Sequence, residues 1–236
     1  MMNKTPVNPK LEGILLLDKS AGPTSFSLVR TLRKLTNIQK IGHAGTLDPF
    51  ATGLMIYLIG KNYTKKSDIF LNLDKEYIAT LKLGASTNTF DLDGQIQNRS
   101  DTIPTLSQIE EALNSFQGKI KQVPPMFSAK KVRGKKLYDL ARKGIEIQRE
   151  PIEITVQTAL LSYEYPFVRL KVTCSKGTYI RTIGHDLGVM LNSYAYLTEL
   201  QRTRIGPYHL SDSISQKDLE EGKNYQDSLT KKIPVS

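Results

Sequence analysis

Apolar residues in this chain of 236 form short, distinct patterns that predict strands and helices. Two uninterrupted apolar runs, within 13–19 and 54–59, are typical of strands buried on both faces. The segment 75–83 alternates instead, and this alternation places every second side chain on one face of a strand. The residues on that face are Tyr77, Ala79, Leu81 and Leu83.

Helices are predicted where apolar residues recur every three or four positions. Thr24 or Ser25 is suited to cap the first helix, and its apolar stripe comprises Phe26, Val29, Leu32 and Leu35. The remaining pattern predicts helices at 107–116, 137–143 and 182–191, and strands at 153–164, 167–175 and 194–200. Strands outnumber helices and do not alternate with them regularly, which indicates an α+β fold with a mixed, largely antiparallel sheet flanked by helices.

The chain is expected to form one catalytic domain over residues 1–236. Within it, a basic insertion at about 119–152, called the basic arm below, interrupts the pattern. A weakly patterned, peripheral tail is expected at about 212–236.

A loop at 41–53 organises the rest of the chain. It is rich in Gly, Pro, Ala, Thr and Asp and leads directly into the apolar run 54–59, so a buried strand anchors it. The loop holds His43 and Asp48, and Pro49 biases Asp48 toward extended backbone. On spacing alone, an Asp–Pro turn without a chemical role is the simpler interpretation.

Positive charge is concentrated in the basic arm. The chain carries a net charge of +10, and residues 119–149 contain ten Lys or Arg and two acidic residues, a net +8. Pro and Gly interrupt this segment, which disfavours a membrane-binding helix and favours a nucleic-acid partner. The polar N-terminus and the absence of a long apolar stretch predict a cytoplasmic protein without a membrane anchor.

Several common functional motifs are incomplete here. Gly53 and Gly60 are too far apart for a phosphate loop, and Asp91-Leu-Asp-Gly94 lacks the later acidic ligands of a calcium loop, so a polar turn is predicted there. The three histidines lack metal-binding spacing, a single cysteine is present, and no G-x-S-x-G elbow occurs. No metal site is expected, and His185 is predicted to be a helix-surface or capping residue.

One constellation remains: Asp48, Tyr77, Tyr179 and Arg181. Tyr179 and Arg181 are two positions apart and would share a face on an extended segment. An arginine beside an aspartate keeps the carboxylate ionised, and tyrosines offer surfaces on which a base can stack. The set suits covalent chemistry on a nucleobase or sugar, although an Asp–Arg structural pair with two core tyrosines also accounts for it.

Seven motifs, in order along the chain, resemble those of the bacterial-type tRNA pseudouridine-55 synthase (TruB) family. The most distinctive is the catalytic loop, Gly45-Thr-Leu-Asp-Pro-Phe-Ala-Thr-Gly53. The others are Gly13–Lys19, Lys75–Tyr77, Asp91–Gln95, Pro125–Lys130 with Gly134–Tyr138, Cys174–Arg181 and Leu200–Thr203. Together they cover most of the chain, from about residue 11 to 210.

The resemblance implies isomerisation of a uridine in the T-loop of tRNA by a monomer that needs neither cofactor nor metal. Asp48 matches the nucleophile, which attacks either the uracil ring or the ribose. Tyr77 matches the tyrosine that packs on the target base and takes part in proton transfer, and Arg181 matches the partner of the nucleophile. The other implied substrate-binding residues are His43, which fills the space left by the flipped uridine, Tyr179 and Leu200 in the uracil pocket, and Lys130.

The sequence departs from the family pattern in places. Ser20 stands where a proline is usual, and Phe50 replaces a leucine. No C-terminal RNA-binding domain is expected, which predicts tRNA binding that depends on the basic arm and on low salt. Two other hypotheses stay open: a catalytically silent RNA-binding or tRNA-folding module, and a related synthase with another RNA target.

Overall fold

The computed structural model describes residues 11–132, 134–223 and 225–230, so the polar N-terminal segment lies outside the described residues. The strands are β1 (Gly13–Lys19), β2 (Ile41–Ala44), β3 (Thr52–Ile59), β4 (Lys75–Leu83), β5 (Ala85–Thr87), β6 (Ile96–Arg99), β7 (Gly118–Gln122), β8 (Lys131–Val132), β9 (Lys135–Lys136), β10 (Ile152–Glu164), β11 (Phe167–Cys174), β12 (Ala195–Ile205), β13 (Tyr208–His209), β14 (Ile214–Ser215) and β15 (Leu229–Thr230). The helices are α1 (Ser25–Thr36), α2 (Lys61–Thr64), α3 (Ser67–Leu71), α4 (Leu106–Asn114), α5 (Leu137–Ala141), α6 (Ile180–Met190) and α7 (Gln216–Glu220).

The chain divides into two compact units. Unit 1 comprises Met1–Lys75 and Gln201–Ser236, and unit 2 comprises Glu76–Leu200. In unit 1 the strands lie in the order β14-β1-β3-β12, with β2 also paired to β3 and β15 to β1. The β1–β3 pair is antiparallel over the whole of β1, and both predicted apolar runs are confirmed as buried strands.

Helix α1 begins where its sequence allows a cap. The Thr24 hydroxyl accepts a hydrogen bond from the Ser27 backbone N–H at 3.0 Å, which satisfies one of the unpaired donors at the helix start. Leu28, Val29 and Leu32 form the buried stripe, whereas Phe26 is 55% exposed. The predicted stripe was wrong at Phe26 because Leu28 occupies the inward position on the same turn.

Unit 2 is built on a sheet with the strand order β12-β4-β11-β10-β7. Strand β4 alternates buried and half-buried residues along its length, which confirms the predicted face of Tyr77. Strands β10 and β11, both predicted from the sequence, form an antiparallel hairpin. The segment 84–94, to which the sequence pattern assigned neither a strand nor a helix, contains the short strand β5, which pairs with β6. The predicted mixed, largely antiparallel α+β fold is confirmed.

Residues 212–236, expected to form a peripheral tail, are described as far as 230 apart from 224, and within that part they contribute strands to the sheet of unit 1. Strands β14 and β15 both pair with β1, and Leu219 of α7 is fully buried. The two strands are only two residues long, too short for a pattern of alternation to predict them. No helix in the described ranges combines the length and the apolarity needed to cross a membrane.

Candidate active site

Asp48 lies in the loop that connects β2 to β3 in unit 1. The Ser25 hydroxyl accepts a hydrogen bond from the Leu47 N–H at 3.0 Å and donates one to the Leu47 carbonyl at 3.1 Å. The Ala51 N–H closes a turn on the Asp48 carbonyl at 3.1 Å. The backbone on both sides of the carboxylate is therefore fixed, while the Asp48 side chain is half-buried.

Lys19, at the end of β1, supports this loop from the interior of unit 1. It is fully buried, and its ammonium donates to the carbonyls of Pro49 at 3.0 Å and Ala51 at 2.6 Å. Burial lowers the pKa of Lys19 to about 8, although the nearby Asp48 carboxylate partly opposes this shift. A buried cation thus lies close to the candidate nucleophile.

Arg202 of β12 supports the ends of the same loop. It is 1% exposed, and its guanidinium donates to the carbonyls of Leu54 at 2.7 Å and Gly45 at 3.3 Å. Strand β12 approaches β3 so closely at Gly53 that a Cβ there would lie 2.4 Å from the Arg202 carbonyl oxygen. Gly53 also has a φ of +100°, so both space and backbone conformation require glycine.

His43 lies on β2 rather than in the loop that the sequence predicted. Its ring makes an edge contact with Tyr57, with centroids 6.2 Å apart and planes at 64°. Burial, together with the charge of Arg202, lowers the pKa of His43. A half-buried, neutral imidazole is suited to contact with a base rather than with a phosphate.

Arg181 is a buried charged residue of unit 2 that is held by hydrogen bonds and an ion pair. Its guanidinium donates to the carbonyls of Thr89 at 2.8 Å and Phe127 at 2.7 Å, and it pairs with the Asp91 carboxylate at 3.3 Å. Arg181 lies in the first turn of α6, with Tyr179 as the N-cap residue. Tyr179 and Arg181 therefore do not share one face of an extended segment, because the helix begins at Ile180.

The Asp91 carboxylate, which pairs with Arg181, is also held by hydrogen bonds from its own loop. The Thr89 hydroxyl donates to its carboxylate at 2.5 Å, and the Asp93 N–H donates to the same oxygen at 3.1 Å. Asp91 is 4% exposed, so the segment predicted to be a polar turn in fact carries a buried charge. The pair places a negative charge beside the buried guanidinium, so each charge offsets the cost of burying the other.

The remaining predicted residues of unit 2 differ in burial. Tyr77 on β4 and Leu200 on β12 are both buried, whereas Tyr179 is half-buried. Lys130 is also half-buried, and its carbonyl accepts from the Leu137 N–H at 2.9 Å. Unit 2 therefore contains aromatic, aliphatic and cationic side chains of the kinds that bind a base and its phosphates.

Three charged residues with clear structural roles had no individual role in the sequence analysis: Lys19, Asp91 and Arg202. Each is buried, and a charged residue is buried only when it is paired or hydrogen-bonded. The available signals were a lysine at the end of one predicted strand and an arginine two residues after another. Their partners could not be read from that signal because they lie far away in the sequence.

The basic arm contains an open cavity of about 680 Å³. Its lining residues are Gly134, Lys135, Asp139, Leu140, Arg142, Lys143 and Ile145. The three basic residues outnumber the single acid, so the cavity favours an anionic ligand. Among the described residues, no three His, Cys, Asp or Glu side chains are grouped to hold a metal ion.

Comparison with known proteins gives consistent matches. Residues 33–180 match the N-terminal domain of the TruB family of pseudouridylate synthases, and residues 181–233 match the C-terminal domain of tRNA pseudouridylate synthase B. The chain is 55% identical over 219 residues to tRNA pseudouridine synthase B of Protochlamydia amoebophila (strain UWE25), covering 93% of this chain and 84% of that protein. The protein of the same name from Clostridium tetani (strain Massachusetts / E88) is 42% identical, with coverages of 93% and 76%.

A solved structure shares the fold. The crystal structure of a Cbf5-Nop10-Gar1 complex matches with a TM-score of 0.74 at 26% identity, over 97% of this chain and 63% of the solved chain. The family match covers more than half of the sequence, and the resemblance seen in the motifs is confirmed. This chain belongs to the TruB family of pseudouridylate synthases.

Proposed function

We propose that this enzyme isomerises uridine 55 in the T-loop of tRNA to pseudouridine, with Asp48 as the nucleophile. The observation that carries the proposal is the support of the Asp48 loop: Lys19, Ser25 and Arg202 hold its backbone, while the carboxylate stays partly accessible. Fixing the backbone and leaving the carboxylate accessible is what a positioned nucleophile requires. The tRNA substrate follows from the relatives, which are named tRNA pseudouridine synthase B.

The reaction conserves every atom of the uridine except one exchangeable hydrogen. The Asp48 carboxylate attacks either the uracil ring or the ribose anomeric carbon, and the N-glycosidic bond breaks. The base turns, a bond forms between the ribose and carbon 5 of uracil, and the hydrogen on carbon 5 leaves as a proton while the freed ring nitrogen gains one. The Asp48 adduct then separates, so the carboxylate returns unchanged and neither a cofactor nor a metal takes part.

The target uridine must leave its stack before a carboxylate can reach it, which costs a few kcal/mol. In the proposal, Tyr77, Tyr179 and Leu200 bind the flipped base, and His43 fills the space that it leaves. Arg181, which pairs with Asp91 in unit 2, orients the reacting groups and acts as the partner of the nucleophile in this proposal. Lys130 and the basic arm contact the phosphates of the T-arm and offset the cost of flipping.

The proposed enzyme works as a monomer in the cytoplasm.

The test uses an unmodified tRNA transcript labelled with tritium at carbon 5 of its uracils and a matched transcript in which uridine 55 is replaced by cytidine. We expect release of about one tritium per labelled tRNA, and none from the cytidine transcript, because each turnover frees one carbon-5 proton. Release that continues with the cytidine transcript would overturn the assignment of position 55.

The same assay distinguishes the other hypotheses. If the wild-type protein binds the tRNA but releases no tritium, the silent RNA-binding module is supported. If release requires an added guide RNA or a different RNA, the related synthase with another target is supported.

A further inference from the structure

Gln122 makes a two-point side-chain contact at the base of the basic arm. It is the last residue of β7 and is 2% exposed. Its amide nitrogen donates to the Tyr179 carbonyl at 3.0 Å, and its amide oxygen accepts from the Tyr179 N–H at 2.8 Å. The side chain therefore bonds both backbone groups of one residue, as a neighbouring strand would.

This contact fixes the residue that precedes α6. Tyr179 is the N-cap of the helix and has extended backbone, and its side chain makes no capping bond within the described part of the chain. Its backbone conformation sets the direction of its ring and the start of the turn that contains Arg181. A buried amide that satisfies both backbone groups limits the movement of that segment.

A second contact joins the same two segments. The Arg181 guanidinium donates to the Phe127 carbonyl at 2.7 Å, and Phe127 lies five residues after Gln122. Pro124 and Pro125, both buried, lie between the two contacts and restrict the backbone there. The base of the arm is thus a short, stiff segment that contacts both Tyr179 and Arg181.

We propose that Gln122 is a positioning residue that couples the basic arm to Tyr179 and Arg181. The inference rests on the proposed function, in which the arm binds the T-arm and Tyr179 contacts the flipped uracil. Phosphate contacts made by the arm fix the position of the RNA relative to β7. The Gln122 amide holds Tyr179, which contacts the uracil, at a fixed position relative to the same strand. Loss of the amide leaves RNA binding intact and misplaces Tyr179.

The chain provides a matched control in Gln117, which makes the same kind of contact elsewhere. Its amide nitrogen donates to the Thr158 carbonyl at 2.9 Å, and its oxygen accepts from the Thr158 N–H at 3.3 Å. Gln117 is exposed, and Thr158 lies within β10, away from Tyr179 in the sequence. Replacing either glutamine with methionine removes one two-point amide contact and retains a side chain of similar size.

The experiment compares Gln122→Met with Gln117→Met in three measurements: the single-turnover rate of tritium release at saturating tRNA, the Kd for tRNA, and the Tm. We expect the rate for Gln122→Met to fall about 10- to 100-fold, because small misplacements of binding groups have effects of this size. Its Kd should stay within about twofold, since charged residues of the arm provide the phosphate contacts. Gln117→Met should retain the wild-type rate.

Gln122→Glu provides a second test, in which the measured quantity is the pH dependence of the rate of tritium release. A purely structural role would not change this pH dependence. The introduced carboxylate, when ionised, can accept from the Tyr179 N–H but cannot donate to its carbonyl, whereas the protonated acid can do both. The rate for Gln122→Glu relative to wild type should therefore rise as the pH falls. If Gln122→Met fails to fold, the pH series with Gln122→Glu tests the proposed role of Gln122 instead.

Three results would overturn the inference: a Gln122→Met rate within about twofold of wild type, an equal loss in Gln117→Met, or a relative Gln122→Glu rate that does not change with pH. Absence of tritium release from the wild-type protein would instead refute the proposed function. The two failures are therefore distinguishable.

Discussion

Buried charged residues dominate the candidate active site at the scale of single residues. Lys19, Arg181 and Arg202 each donate to backbone carbonyls of loops that carry candidate functional residues. A buried cation is costly unless donors and charge are both satisfied, so these residues constrain the loops strongly. These contacts hold the geometry of the loops, and Asp48 is the group that we propose to react.

The buried pair of Arg181 and Asp91 can be tested by stability. Asp91→Ala removes a carboxylate from beside a buried guanidinium, and we expect a loss of about 3–5 kcal/mol in the free energy of unfolding. The control is Lys171→Ala, because Lys171 pairs with Glu76 at 3.5 Å with 47% of its side chain exposed. That change should cost less than about 1 kcal/mol in urea unfolding. Equal losses in the two variants would contradict the account.

Lys19 makes stability depend on pH in a defined direction. Its pKa is about 8 in the folded protein and 10.5 in the unfolded chain. Between these values the unfolded chain binds the additional proton, so the contribution of Lys19 to stability rises with pH. Below about pH 8 both states are protonated and this contribution is constant.

We therefore expect wild type to gain stability relative to Lys19→Met as the pH is raised from about 8 to about 10. The measurement is urea unfolding of both proteins at several pH values. Taking the difference between their free energies of unfolding cancels the contributions of the other titrating groups. A difference that stays constant or falls over this range would show that the Lys19 pKa is not lowered.

At the scale of elements, the close approach of β3 and β12 fixes one end of the Asp48 loop. The two strands are parallel, with Gln201 opposite Thr52 and Arg202 opposite Gly53. Because Gly53 has no side chain, the Arg202 backbone lies against it while the guanidinium reaches Leu54 and Gly45. The contact therefore combines backbone packing with side-chain hydrogen bonds.

Gly53→Ala should disturb this contact. The new methyl would lie 2.4 Å from the Arg202 carbonyl oxygen, and the φ of +100° is unfavourable for alanine. The control is Gly22→Ala, because Gly22 has a φ of +105° and a Cβ there would meet no atom of the described residues within 4 Å. We expect Gly53→Ala to cost about 1–3 kcal/mol more than Gly22→Ala in thermal or urea unfolding. Similar costs would mean that backbone strain alone makes glycine necessary.

Elements with continuous patterns could be predicted from sequence, whereas short ones could not. Strands β1 and β4 have the predicted bounds because one contains a continuous apolar run and the other alternates over nine residues. The two-residue strands β14 and β15 have no measurable period, and they form by pairing with β1. Helix α6 begins two residues before its predicted start, since its first turn is held by contacts from other segments.

At the scale of the whole molecule, positive charge is unevenly distributed. The net charge is +10, and residues 119–149 account for +8 of it. Such a local surplus attracts a polyanion and makes its binding sensitive to salt. The basic arm is therefore expected to provide most of the electrostatic affinity for tRNA.

The salt dependence of tRNA binding tests that expectation. Arg142→Glu with Lys143→Glu reverses two exposed charges that line the cavity of the arm. Binding should weaken, and the slope of log K against log salt should become less steep by about 0.7 for each lost phosphate contact. The control, Lys217→Glu with Lys223→Glu, makes the same change in net charge on exposed lysines of unit 1. If both pairs change the slope equally, net charge rather than the arm determines binding.

The candidate site was only partly predictable for the same reason that short strands were not. Asp48 and Arg181 belong to motifs that can be recognised locally, and family resemblance supplies their expected roles. The contacts that hold them join residues far apart in the chain, such as Arg202 with Gly45 and Arg181 with Thr89. Periodicity carries no information about such partners, so the sequence indicated candidate site residues but not the contacts that hold them.

The central claim is that Asp48 is the nucleophile for uridine 55, and its most direct test is Asp48→Asn in the tritium-release assay. The substitution keeps the size of the side chain and removes its charge. We expect release to fall at least about a thousandfold, with tRNA binding and Tm close to those of wild type. Asp101→Asn, a change at an exposed loop position, should retain full activity. Tritium release by Asp48→Asn at the wild-type rate would contradict the account.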